Sequence, residues 1–151
     1  MVSKSTTEIN HMADNLENAR SQALAQFNSI REMVLTLREA RESQEPDAIE
    51  DAERVIHEDA LSVELRSGWY TPDSQAGAES RAAEFKILLC TGGPAVQIVG
   101  DLDEYGEPES ATMQFQDWFT PWTDWNGDDI SVPDDYREIL LDYCRVFYFG
   151  E

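Results

Sequence analysis

Between Ile9 and Leu37 the apolar residues recur every three or four positions: Ile9, Met12, Leu16, Ala19, Ala23, Phe27, Ile30, Val34 and Leu37. That spacing stacks them on one side of an α-helix and predicts a long amphipathic helix. Ser5 and Glu8 stand at capping-box spacing and can satisfy free amides at its start. Pro46 is the first residue that must stop it. A helix of about 35 residues is ~50 Å long at 1.5 Å per residue, longer than a compact domain of this size is wide. It must break, or part of its stripe must meet another chain. Packing on the chain's own second helix is the expected use of the stripe. A homodimer through the first helix is the alternative, although Ala and Met at several seam positions make weak coiled-coil knobs.

Asp47 is placed to cap the second helix, Ala48 to about Ala60, with Ile49, Ala52 and Ile56 as its apolar side. The period then changes. Leu61, Val63 and Leu65 alternate with Ser62, Glu64 and Arg66, which suits a half-buried strand, with helical continuation to Ser67 as the other possibility. Thr71 to Ser80 reads as an exposed loop. The clearest β pattern follows: Glu84 to Cys90, a Thr-Gly-Gly-Pro turn, Ala95 to Gly100, a second turn with Gly106 and Pro108, then Ser110 to Trp118. Asp134 can cap a last helix carrying Ile139, Leu140, Tyr143 and Cys144, and the terminal Val146 to Phe149 should dock on the sheet as a short strand. Helices followed by strands predict an α+β fold: a long amino-terminal helix and a second helix packed with an antiparallel meander of three to four strands and a carboxyl-terminal helix. The helical region, residues 1–60, and the α+β region, residues 61–151, should form one domain.

Charge restricts the function. The chain has 31 Asp and Glu against 11 Lys and Arg, a net charge of −20. Such a field repels nucleic acid and anionic lipid and attracts basic partners. From Ile87 to Tyr136 there is no Lys or Arg, while there are eleven acids: Asp101, Asp103, Glu104, Glu107, Glu109, Asp117, Asp124, Asp128, Asp129, Asp134 and Asp135. Duplex DNA presents one charge per ~1.7 Å, so eleven carboxylates spread over ~20 Å would approach its density. The alternative is an ordinary solvated face that maintains solubility. Three of the four tryptophans, Trp118, Trp122 and Trp125, lie in the same stretch. Strand alternation puts Trp118 and Phe115 on opposite faces, so at least one of them needs covering by another element or a partner.

The motifs of known chemistry fail one by one. His57-Glu58-Asp59 begins like a zinc-binding helix, but position 61 is Leu, which leaves a solvated histidine. Cys90 and Cys144 form no CxxC, Cys90 has no nameable base, and a free cysteine is usually a small buried hydrophobe. The loop Asp124, Asn126, Asp128, Asp135 departs from a calcium loop at its glycine and at its last ligand. No cofactor, metal or enzymatic activity is expected. The amino terminus lacks a secretion-signal pattern and no apolar run approaches a membrane span of ~18 residues, so a cytoplasmic protein without membrane contact is expected.

The blocks CTGGPAV (90–96), QDWFTPWT (116–123) and FYFGE (147–151) resemble those of a family of small uncharacterised acidic proteins carried by phages, plasmids and integrated elements of gammaproteobacteria. The resemblance covers about residues 60–151 and implies context only: an accessory protein of a mobile element in a bacterial host cell. Joined to the charge pattern, it leads to the expectation of a non-enzymatic protein that binds a basic host protein and inhibits a nucleic-acid-binding defence system by mimicry. The expected contact residues are Trp118, Trp122, Trp125, Asp124, Asp128, Asp129, Asp103, Glu104 and Glu107.

Overall fold

The computed structural model describes residues 3–72, 82–92, 94–117, 120–125 and 134–149, with side chains from residue 16 onward. The first helix, α1 (Ser3–Ser43), is unbroken. From Ala19 onward its stripe is consumed within the chain: Ala19, Ala23, Phe27, Ile30, Val34, Leu37 and Ala40 are all buried. The surfaces that bury it are α2 (Pro46–Asp59), the last helix α3 (Tyr136–Cys144) and two central strands of the sheet. The second helix is thus only part of its covering.

The chain reverses between α1 and α2 over two residues. Gln44 takes the left-handed conformation, φ 59°, that a helix terminus commonly uses. Ser43 Oγ donates to Ala40 O at 2.6 Å and accepts the Glu45 N–H at 3.3 Å, covering groups that the helix end leaves free. Pro46 begins α2 instead of merely ending α1, because its fixed φ and missing N–H suit the first helical turn. The N-cap is therefore Glu45, without a side-chain bond, and Asp47 lies inside the first turn, where its charge favours the helix dipole. The cap of the last helix is displaced too, by one residue in the other direction. Asp135, not Asp134, is its N-cap, and again no side chain closes the cap.

The sheet has five antiparallel strands in chain order: β1 (Ser62–Ser67), β2 (Ala82–Cys90), β3 (Ala95–Asp101), β4 (Thr112–Gln116) and β5 (Thr123–Trp125). The fold is α+β, as the order of patterns predicted. Ile87, Ile98, Met113 and Trp125 stand side by side across β2 to β5 and are buried beneath the helices. Burying each such side chain contributes roughly 1.5–3 kcal/mol. Gly100 allows a close approach that no other residue could make. A Cβ there would lie 2.0 Å from Ser110 O and 2.6 Å from the Phe85 ring.

The carboxyl-terminal segment docks as expected, but through side chains and not as a strand. Phe149 meets Phe85 at 4.9 Å, and Tyr143 donates to Asp59 at 2.8 Å. His57 is more than a solvated helical residue. Its ring stacks on Phe147 at 5.3 Å, and its Nε2 lies 2.9 Å from Val146 O, tying α2 to the chain end.

Candidate interaction surface

Five of the acids form one group at the end of β3 and in its connection to β4. Asp101, Asp103, Glu104, Glu107 and Glu109 occupy nine consecutive positions, and the backbone there is closely bonded. Asp103 N donates to Glu107 O at 2.8 Å, Gly106 N to Asp103 O at 3.0 Å, and Glu109 N to Asp101 O at 2.8 Å. Gly106 provides the positive φ of 80° that the turn needs.

Asp103 builds this turn. Its Oδ1 accepts the N–H groups of Tyr105 (2.8 Å) and Glu107 (2.9 Å), the local bond that makes aspartate a turn former. Buried Leu102 and Ala111 and the Leu102–Pro108 bridge anchor the loop to the sheet. Glu104, Glu107 and Glu109 consequently project from a held frame, with Tyr105, 81% exposed, among them. An aromatic surrounded by carboxylates is suited to a basic partner, since it offers apolar area and ring-face attraction to a cation. Sequence reasoning passed over Tyr105 because a single aromatic beside a glycine gives no periodic signal.

The remaining predicted contacts do not join this group. Asp124 is exposed on the helix-free face of the sheet, where it accepts from Gln114 Nε2 at 2.8 Å, and Gln114 accepts from Gln97 at 2.7 Å. In register it is level with Gln97, four residues before Asp101, so about 13 Å separates the two along the strands. Trp122 is half-buried. Trp125 corrects the expectation: it is 4% exposed, and its ring meets Phe27 at 5.5 Å and Tyr136 at 5.3 Å. It is a core residue, because pairing of β5 with β4 turns it under α1. Trp118, Asp128 and Asp129 lie outside the described residues, as does most of the loop weighed for calcium.

Beyond Asp101 the helix-free face has a shallow hollow of about 460 Å³, whose lining includes Glu64, Arg66, Glu84, Lys86, Val99 and Thr112. Arg66 Nε donates to Glu84 at 2.6 Å, and with Asp101 also in the lining the hollow has three acids against two bases. Of the two thiols, Cys144 is fully buried and burial pushes its pKa up; burial also raises that of Cys90. Neither has the lowered pKa of a reactive cysteine. Among the described residues no group of three His, Cys, Asp or Glu side chains is placed to hold a metal ion. No described helix is long and apolar enough to cross a membrane. Comparison with protein-family models, with curated proteins and with solved structures finds no match for the chain.

Proposed function

We propose that the protein is a non-enzymatic binding protein whose β3–β4 turn engages a basic surface of a host protein at the place where that protein binds nucleic acid. The observation that carries this reading is the set of five acids in nine residues on a hydrogen-bonded frame, with exposed Tyr105 in its midst. A pre-ordered turn loses little entropy on binding, and the field of a −20 chain steers basic partners toward it. The sequence resemblance to mobile-element proteins supports a bacterial host cell as the setting and a host defence system as the target. Dimerisation through the first helix is the alternative, and it would have to use the stripe before Ala19, since Ala19 to Ala40 are buried within the chain.

The test is retention of host proteins on the immobilised chain, washed with increasing salt or with a duplex DNA oligonucleotide. Release by both is expected, since the partner's basic groups would exchange one polyanion for another. Retention indifferent to salt and to duplex DNA would overturn the reading.

A further inference from the structure

β1 ends the sheet, and among the described residues no strand meets the outer row of its N–H and C=O groups. The two edges are treated differently. β5 is only three residues long, follows Pro121 and carries Asp124, all features that discourage pairing. β1 runs for six residues and is apolar on one side. Val63 and Leu65 stand opposite Ile87 and Phe85 in register, on the face that makes the core, yet they are 39% and 45% exposed. The reason is that α1 lies over β3 and β4, short of this edge. Leu61 and Trp69, at either end, are exposed as well.

Charge on this edge differs from the rest of the chain. Glu64 and Glu84 are matched by Arg66 and Lys86, whereas the molecule as a whole carries −20. Two copies of such a chain repel at long range and can approach most readily where each is locally neutral.

We propose that β1 pairs antiparallel, edge to edge, with β1 of a second copy, about a two-fold axis at Leu65. This register sets Glu64 opposite Arg66 of the second copy and Arg66 opposite its Glu64, while the two Leu65 side chains meet on the other face. Glu64 makes no ion pair among the described residues. Arg66 contacts Glu84 through Nε and one terminal nitrogen, leaving donors for a second carboxylate. A shift of the axis to Glu64 would put that carboxylate against its own copy. The order Glu-Leu-Arg is thus self-complementary, which favours a second copy over a foreign strand. The two five-stranded sheets become one continuous sheet, and the β3–β4 turns stay free on each copy.

Mass measurement by light scattering on the full chain, with sedimentation to follow affinity, tests this. The 17.1 kDa chain is expected to double in mass. Its association should tighten as salt rises from low ionic strength, because screening removes the long-range repulsion. That is the opposite of what a basic partner would show, so the two readings fail separately. Leu65→Lys should weaken association at least about tenfold, converting the dimer to monomer, with the circular dichroism spectrum of a folded chain retained at this exposed site. Glu64→Lys and Arg66→Glu should each dissociate alone and re-associate when mixed, since only the mixed pair restores opposite charges on both sides of the axis. A monomeric wild-type chain across the salt range, a dimer indifferent to Leu65→Lys, or a mixture that stays monomeric overturns the proposal. So does a monomer whose edge substitutions abolish binding of another protein.

Discussion

The hydroxyl of Tyr136 donates to the carbonyl oxygen of Trp125 at 2.5 Å and accepts the Met113 N–H at 2.9 Å. One side chain at the start of α3 thus ties together β4 and β5, and its ring packs on Phe27 of α1 at 5.3 Å. Tyr136→Phe keeps the ring and removes both bonds, leaving two partly buried backbone groups unpaired. A loss of about 2 kcal/mol is expected, read from urea unfolding.

The same residue sets an alkaline limit. Burial pushes the Tyr136 pKa up from 10.0 to about 12. The folded state therefore keeps a proton that the unfolded state releases above about pH 10, so stability is full below that pH and falls as pH rises toward 12. Tyr143 shifts in the same direction, chiefly through burial and then through the Asp59 carboxylate beside it. Unfolding midpoints measured from about pH 8 to about pH 12 should fall, and Tyr136→Phe should make the decline shallower without abolishing it.

Trp125 and Trp69 should separate core from surface. Trp125→Ala opens a cavity beside Phe27 and is expected to cost about 3–5 kcal/mol. Trp69→Ala, at a fully exposed site, should change monomer stability by less than about 0.5 kcal/mol. Denaturant titrations of the two variants, followed by far-ultraviolet circular dichroism, make the comparison.

Gly100→Ala tests the close approach of β3 to the chain before β4. The added methyl would meet backbone at Ser110 as well as the Phe85 ring, and backbone cannot rotate away. Destabilisation of about 3 kcal/mol is expected, against near-neutrality for Gly68→Ala, whose Cβ would meet Ala83 at an ordinary 3.6 Å. Thermal melts of both proteins check this.

Neutralising Glu107 and Glu109 together to Gln should leave the fold intact, because the turn is held by the Asp103 carboxylate and by backbone bonds. Relief of self-repulsion should hold stability level or raise it by a few tenths of a kcal/mol, ~0.5 at most. Binding to a basic partner should weaken and lose salt dependence. A variant that binds as tightly as the wild type would remove the β3–β4 turn from the proposed contact surface.

Much of the architecture was legible in the sequence because it rests on periodicity. The three-and-four spacing from Leu16 to Leu37 gave α1, and alternation around Ile87, Ile98 and Met113 gave the central strands, since side-chain direction repeats with a fixed period in each element. Caps were less legible. Glu45 and Asp135 occupy N-cap positions without a side-chain bond, so the residue with the best capping chemistry was not the one used. The alternation of Leu61, Val63 and Leu65 correctly marked a strand but not its exposure, because burial depends on where α1 lies over the sheet.

The same distinction divides the functional reading. Composition by itself determined the field of the molecule: a −20 chain with a fifty-residue stretch from Ile87 to Tyr136 free of basic residues, whatever its fold. Only the tertiary structure decided which members of that stretch face outward. It turned Trp125 into the core against Phe27, used Asp103 to hold a turn, and raised Tyr105 among three glutamates. Charge is a sum over residues and needs no geometry, whereas exposure is set by contacts between residues far apart in the chain.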